Sequence, residues 1–451
     1  MRIAVVGCGH VGLITGACLA SLGHHVIFAD RDAQLVRLLR EGNLPIFEPH
    51  LGELFQRSYA NQAIAFAFNS VEAVEGADVV FLCVGVPQLE SGDSDFSALD
   101  SAARQIAQAG YKPKLIVVRS TVPVQTGQQL KHLLSVYSRD RQTCFRVAAN
   151  PQFLREGTAV NDFLHPDRIL MGVEDSEAER TLRQIYRPIL EQNFHCLVHG
   201  EGCPPRSAPE LLVTSIRSAE LIKQTSNAFL AVKISYANVL ADLCERLGAD
   251  VQEVTHAVGL DSRIGCEFLQ AGIGFGGSRL PKDLRAFCRL TKRAGLEAGI
   301  LEAAEQVNRN RIAMIFGKVQ RSLWVLKDKR IGLLGLAHKC NTDDIRGSPA
   351  IDLYKCFSAA GAQVRAYDPR AMAQTRAAFP DIICAVDAYE VADRADALIV
   401  ATDWGEFQNL DWNRIHRVMA RPAVFDGRNL LSPSQMRALG FEYESVGRPG
   451  R

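Results

Sequence analysis

The sequence predicts an α/β protein in which two Rossmann-like doubly wound domains are joined by a helical central domain. Three observations point there. Short β-branched runs alternate with helical patterns over the first part of the chain, strand signals lapse in the middle, and a β-rich pattern returns after "QRSLWVLKDKR". At 451 residues the chain has room for two or three domains, with about 100 to 200 residues per domain as the prior. The expected divisions are 1–204, 205–310 and 311–451.

In the first part, "IAVVG", "HHVIFAD", "ADVVFLCVG", "PKLIVVRST" and "CFRVAANP" read as successive parallel strands. From about Pro205 to Ile300 no strand is expected. There "ELIKQTSNAFLAVKISYANVLADLCERLG" carries apolar residues at helical spacing, which predicts one long, largely buried helix. Helices of this length often form subunit contacts, so a homodimer built partly on Glu220 to Glu245 is expected. The strands of the last part are "IGLLGLA", "AQVRAYD", "ADALIVATDW" and "PAVFDGRN".

Lys and Arg number 51 against 50 Asp and Glu. The net charge of +1 gives no general electrostatic reason to seek a nucleic acid or an anionic membrane. The opening "MRIAVVGCGHVGL" lacks a long apolar core and a small-residue cleavage site, and no stretch holds the roughly 18 unbroken apolar residues of a membrane span. A soluble cytoplasmic protein is expected. The 12 cysteines are scattered without paired metal-type spacing, and several lie in apolar runs, as Cys83 does in "VVFLCVGVP". Reduced core thiols are expected, and no metal site.

"VVGCGHVG" places Gly7, Gly9 and Gly12 in G-x-G-x-x-G spacing after a strand and at the start of a helix. The first glycine permits the turn, the second lets backbone approach a pyrophosphate, and the third allows close packing of helix on strand. The helix N-terminus adds N–H donors and a positive dipole. The next strand ends in Asp30, where a carboxylate can bind ribose hydroxyls and repel a 2′-phosphate. That favours NAD over NADP, with the adjacent Arg31 counting the other way.

Three more stretches set polar residues among apolar ones: "NPQFLREGTAVNDFLHPDRI", "KQTSN" from Lys223 to Asn227, and "GIGFGGSRLPKD" from Gly272 to Asp283. Lys223 and Asn227 share a helix face, and a lysine within an apolar helix is costly to bury without a task, although a snorkelling lysine would read the same way. The glycines of the third stretch suggest backbone passing close to a ligand.

Together with "EGNLPIFEPHL", "RSTVPV", "DSRIG", "GLAHKCNTDDIRGSPAIDL" and "FDGRNL", these motifs resemble, in order and over nearly the whole chain, the UDP-glucose/GDP-mannose dehydrogenase family. The resemblance implies an N-terminal NAD-binding domain, a central dimerisation domain and a C-terminal nucleotide-sugar-binding domain. It implies oxidation of a sugar primary alcohol, with a UDP-sugar favoured as substrate. Thr121, Lys223, Asn227 and Asp283 match the group that organises the alcohol and its ordered water, and Glu156 matches a second carboxylate there. Cofactor contacts are implied at Gly7, Gly9, His10, Val11, Gly12, Asp30, Gly85, Val86, Pro87, Ser120, Thr121, Glu156, Lys282 and Arg346. Substrate contacts are implied at Gln152, Phe153, Leu154, Lys223, Asn227, Phe275, Gly276, Lys339 and Arg428, and at Arg263 from a neighbouring subunit.

One position departs from the pattern in a way that touches the chemistry. In the family a cysteine stands where this chain has Arg279, and it captures the aldehyde as a thiohemiacetal and then carries a thioester. A guanidinium offers only donors and cannot act as that nucleophile. Removing the nucleophile of another covalent enzyme lowers the rate on the order of 10⁶, or about 8 kcal/mol. Gln152 stands where the family usually has Glu. Val86 replaces Thr, while His50 and Gln125 replace Gly and Gly347 replaces an acidic residue. Cys266 and Cys288 lie too far along the chain to take over the nucleophile's place, and both read as core residues. The resulting functions are a full dehydrogenase, an oxidoreductase limited to two electrons or to a modified or uronate sugar, and a non-catalytic nucleotide-sugar-binding paralogue.

Overall fold

The computed structural model describes residues 1–89, 94–109, 114–138, 145–200, 203 and 207–449. Pro113 and Cys144, the first residues of two expected strands, and the expected boundary after residue 204 lie outside the described residues. The chain divides into two compact units, Met1–Thr225 and Ser226–Arg451.

The first unit is built on eight strands: β1 Arg2–Val6, β2 His25–Ala29, β3 Ile64–Ala67, β4 Val79–Leu82, β5 Leu115–Val118, β6 Arg146–Ala149, β7 Arg168–Gly172 and β8 Glu210–Thr214. They lie in the order β3-β2-β1-β4-β5-β6-β7-β8, parallel except where β6 meets β7. Alternate residues of β1 serve two separate cores. Ile3 and Val5 join Phe28 and Phe81 on one face, whereas Ala4 and Val6 join Val80 and Leu82 on the other. Burial on both faces explains why these strands read as continuous apolar runs. The order reverses beside β1, so the crevice past the carboxyl ends of β1 and β4 is where such a sheet binds ligands.

The second unit holds β9 Arg330–Leu334, β10 Gln363–Tyr367, β11 Ile383–Cys384, β12 Ala397–Val400, β13 Ala423–Asp426 and β14 Glu442–Ser445. Their order, β11-β10-β9-β12-β13-β14, repeats the reversal of the first sheet, and all its pairs are parallel. Asp368, after β10, accepts from the N–H groups of Leu336 (2.7 Å) and Ala337 (2.9 Å) after β9. Its carboxylate also receives the Trp404 indole at 3.1 Å, so it is consumed within the fold.

Two readings of the sequence need correction. β8, "ELLVT", is a strand within the span expected to hold none; it pairs with β7 from Arg168↔Glu210 to Gly172↔Thr214. The long helix spans Ile216–Leu247, but it is not largely buried. Phe229 (62%), Tyr236 (53%), Leu243 (49%) and Leu247 (73%) are exposed at helical repeat distances along one stripe. Within the second unit its other side is held by buried cations of the helix Gly299–Leu323. Arg311 reaches Asp242 at 2.7 Å, and Lys318 reaches Glu245 at 2.6 Å and the Ser445 carbonyl at 2.8 Å. No described helix is long and apolar enough to cross a membrane.

Candidate active site

The glycine turn of the first unit has a distinct reason at each glycine. Gly7 has φ +98°, and a Cβ there would lie 2.9 Å from the Cys83 carbonyl. A Cβ at Gly12 would lie 1.8 Å from the Gly7 oxygen, so only glycine lets this helix sit against the strand. At Gly9 a Cβ would meet nothing within 4 Å. Gly9 is the N-cap of the helix His10–Ser21 and supplies no side-chain cap, so this backbone can be approached closely. Asp30 is fixed beside this turn, accepting from Cys8 N at 2.7 Å through one oxygen and from Asp32 N at 3.0 Å through the other. A helix N-terminus with open space at its N-cap glycine, next to an oriented carboxylate, fits a dinucleotide.

Beneath the turn lies a residue to which the sequence reading gave no role. Glu48, with its side chain wholly buried, receives His10 Nε2 at 2.9 Å, Gly157 N at 2.9 Å and Ala159 N at 2.7 Å. One carboxylate thus ties the glycine turn to the "LREGTA" segment that carries Glu156, itself buried. The available signal was an acid between Phe47 and Pro49 in an otherwise apolar "PIFEP".

The ends of β5 and β6 bring together most of the remaining expected residues of this unit. Ser120 Oγ donates to the Val84 carbonyl at 2.6 Å, which fixes the β5 end to the "VGVP" strand end holding Gly85, Val86 and Pro87. Thr121 follows it. A small pocket here is lined by Ser120, Pro151, Glu220 and Lys223. Lys223 is only 5% exposed, and its ammonium stands 5.0 Å over the Phe153 ring. Glu220 receives Gln125 N and Gly127 N, each at 2.7 Å, while burial pushes its carboxyl above the usual range against those two bonds. Gln152 is buried and its Oε1 accepts from Leu154 N at 2.6 Å.

In the second unit Asn227 Nδ2 donates to Asp283 Oδ2 at 2.6 Å, and both are buried, so two of the expected catalytic residues meet. Arg279 is half-buried at the N-cap of the helix Leu280–Arg293, with Lys282 and Asp283 in its first turn. Burial holds the Lys282 ammonium below its ordinary value; Asp283 opposes this and Arg279 adds to it.

The glycines before Arg279 have protein neighbours rather than open space. A Cβ at Gly272 would meet the Gly427 oxygen at 2.8 Å, at Gly274 the Asn308 side chain at 2.6 Å, at Gly276 the Gly347 oxygen at 2.2 Å, and at Gly277 the His338 ring at 2.9 Å. Packing within the unit therefore accounts for them. Phe275 is pinned by Asn308 through both its N–H (2.8 Å) and its carbonyl (2.9 Å). Arg428 binds the carbonyls of Ala401 (2.8 Å), Gly274 (3.2 Å) and His338 (3.0 Å), and so clamps that loop and the Lys339 turn. Arg346 is paired with Asp344 at 2.6 Å, and Arg263, 86% exposed, with Asp261 at 2.5 Å.

The described cysteines are all free thiols. Cys288 is a core residue as expected, but Cys266 is exposed. His165, Cys196, His199 and Cys203 lie together in the first unit, where the run Cys196–Cys203, in C-x-x-H-x-x-x-C spacing, meets a histidine from a distant helix end.

Comparison with known proteins agrees with these features. Residues 1–190 match the NAD binding domain of the UDP-glucose/GDP-mannose dehydrogenase family, 217–310 its central domain and 332–433 its UDP binding domain. The chain is 39% identical to UDP-glucose 6-dehydrogenase of Rhizobium meliloti (strain 1021), over all of both chains. It is 37% identical to UDP-glucose 6-dehydrogenase TuaD of Bacillus subtilis (strain 168), covering 99% of this chain and 93% of that one. Among solved structures, a UDP-glucose dehydrogenase from Pyrobaculum islandicum superposes with a TM-score of 0.88 at 34% identity, over 99% of this chain and 98% of that one. With three domain matches in order and full-length relatives at this identity, the chain belongs to the UDP-glucose/GDP-mannose dehydrogenase family.

Proposed function

We propose that the chain is an NAD-dependent oxidoreductase of a UDP-sugar that removes two electrons from the sugar's primary alcohol. The observation that carries the reading is the open turn at Gly9 beside the fixed Asp30, together with family membership. NAD, when bound, supplies the hydride acceptor. In the first unit Gly7 to Gly12 and Asp30 hold the cofactor, with Gly85 to Pro87, Ser120 and Thr121 on the adjacent strand ends. Lys223, in its apolar helix, is the group placed to hold the alcohol. In the second unit Asn227 fixes the Asp283 carboxylate that orients the alcohol and its water, and Phe275, Gly276, Lys339 and Arg428 serve the nucleotide sugar. Arg346 is assigned to the cofactor and Arg263 to a neighbouring subunit, which its exposure suits.

Arg279 limits the chemistry. Loss of one hydride and one proton converts the alcohol to the aldehyde. Continuing to an acyl thioester needs a sulfur nucleophile, and a guanidinium has no such atom. A second reading, a nucleotide-sugar-binding paralogue without turnover, is favoured by Arg279 together with Gln152, whose amide cannot take a proton as a carboxylate does.

The test incubates the purified chain with NAD and a panel of nucleotide sugars, counts NADH per sugar and identifies the product by mass. One NADH with an aldehyde supports the proposal. Two with a carboxylate overturns the two-electron limit, and binding without NADH supports the paralogue. Arg279→Cys combined with Gln152→Glu should then yield carboxylate product.

The three-part division at 204/205 and 310/311 is proposed likewise, supported by the three domain matches. A homodimer is proposed on the exposed stripe of Phe229, Tyr236, Leu243 and Leu247. Sedimentation giving a monomer at micromolar concentration would remove it.

A further inference from the structure

We propose that His165, Cys196, His199 and Cys203 form a structural zinc site in the first unit. Each side chain offers one ligand atom, and the four atoms lie within 4.8 Å of one another. His165 Nε2 is 3.1 Å from Cys196 Sγ and 3.7 Å from Cys203 Sγ. His199 Nδ1 is 3.4 Å from Cys196 Sγ and 3.8 Å from Cys203 Sγ. With Zn–N and Zn–S bonds of about 2.05 and 2.3 Å, a tetrahedral ion holds its nitrogen and sulfur ligands about 3.6 Å apart. The four separations bracket that value.

The surroundings hold these groups in place. His165 follows the helix Ala159–Leu164, its N–H bonded to the Asn161 carbonyl at 2.8 Å, and its ring packs on Phe194 and His199 at centroid distances of 5.5 and 5.2 Å. Cys196 is buried, and Leu197 and Val198 beside it pack on the apolar core. The backbone N–H of His199 points to Cys196 Sγ at 3.4 Å, while Gly200 N bonds the Cys196 carbonyl at 3.0 Å. That turn aims an amide donor at a sulfur that becomes a thiolate when a metal binds.

Two thiolates and two neutral imidazoles around a divalent ion give a neutral site. Mixed nitrogen and sulfur ligands in tetrahedral array select zinc over magnesium or calcium, and four protein ligands leave no open position for catalysis. The ion would instead fasten the connection between the helix Ser176–Leu190 and β8 to the end of the helix Ala159–Leu164. The first turn of the latter helix is the one whose Ala159 N–H is held by Glu48.

The test uses the full chain, purified without chelator and analysed by mass spectrometry for zinc and iron. About one zinc per chain is expected, released when an organomercurial titrates the thiols. Cys196→Ser and Cys203→Ser should each bring zinc to background, whereas Cys266→Ser should leave it unchanged. Should those variants fail to fold, the unaltered protein reconstituted with cobalt decides the matter. Tetrahedral d–d bands with a thiolate-to-cobalt charge-transfer band support the site, and an octahedral spectrum without that band overturns it. The site is also overturned by zinc at background after incubation with equimolar zinc chloride, by stoichiometric iron in place of zinc, or by an intact mass short of the two hydrogens of a Cys196–Cys203 disulfide.

Discussion

Glu48 provides the sharpest test of how the cofactor turn is held. In Glu48→Gln the shape is kept and the charge removed. The carboxylate accepts from Gly157 N at 2.9 Å through one oxygen, shared with His10, and from Ala159 N at 2.7 Å through the other. An amide has one oxygen, so whichever way it turns, one backbone N–H faces an NH₂ donor. Hydrogen bonds to a charged group are worth about 1.5–3 kcal/mol, and a buried unsatisfied donor costs about 1–3 kcal/mol. Relief from burying a charge opposes both, leaving a net loss of about 2 kcal/mol. For a unit of this size that lowers Tm by about 4–8 °C. His10 and Glu156 lose their common anchor, so NAD affinity should fall as well. Scanning calorimetry and NAD titration of the same preparation measure the two effects. A Tm within about 1 °C of the unaltered protein would refute the accounting.

Other expectations follow from single residues. Gln125 (φ 80°) and His50 (φ 65°) occupy left-handed backbone where a side chain costs about 1–2 kcal/mol. Glycine's freedom in the unfolded chain offsets about 0.5–1 kcal/mol of that, so Gln125→Gly and His50→Gly should each raise the urea midpoint slightly at constant slope; a lowered midpoint contradicts this. His24 is buried with Nε2 on the Ile185 carbonyl at 3.0 Å, and burial lowers its pKa below the ordinary 6.5. Its contribution is therefore full above pH 6.5 and lost as pH falls through the lowered folded value, a dependence that His24→Gln should flatten in pH-resolved denaturation. Asp30→Ala should narrow the preference for NAD over NADP, and equal affinities in the unaltered protein, by calorimetry, would remove the premise.

Much of this was legible in the sequence where one residue type answers one geometric need. Gly7, Gly9 and Gly12 each answer a different need, so their spacing reported the turn and its ligand class together. The glycines from Gly272 to Gly277 reported close approach equally well, but a glycine does not say what approaches it; here the neighbours are Gly427, Asn308, Gly347 and His338. The short strands "IAFA" and "ELLVT" were not read from the sequence, and half or more of their residues are not buried, unlike the two-sided burial of β4. Glu48 escaped because its partners are the His10 ring 38 residues back and two backbone N–H groups more than 100 residues on, which no spacing encodes. Of the His165 cluster, Cys196, His199 and Cys203 lie within eight residues in C-x-x-H-x-x-x-C spacing, and only His165, 31 residues before Cys196, is remote. His50 and Gln125 show in the sequence only as replacements of glycine, whereas their positive φ shows why glycine suits those positions.

Arg279 remains the residue whose setting argues against indifference. At the N-cap of a helix the unsatisfied N–H groups and the dipole favour negative charge. A thiolate is stabilised there, and a guanidinium is not. Lys282 adds a second cation in the same turn, and Asp283, its acidic residue, is already bonded to Asn227. Helix end, arginine and lysine each contribute positive potential at this turn. A planar fork in such a field matches a carboxylate ligand, so UDP-glucuronate should bind more tightly than UDP-glucose, by about tenfold if one charge-assisted bond is gained. Calorimetric titration of both sugars against the unaltered chain and Arg279→Ala measures this. The preference should vanish in the variant; equal affinities in the unaltered chain, or a preference that survives the substitution, would show that Arg279 does not meet the sugar's carboxylate.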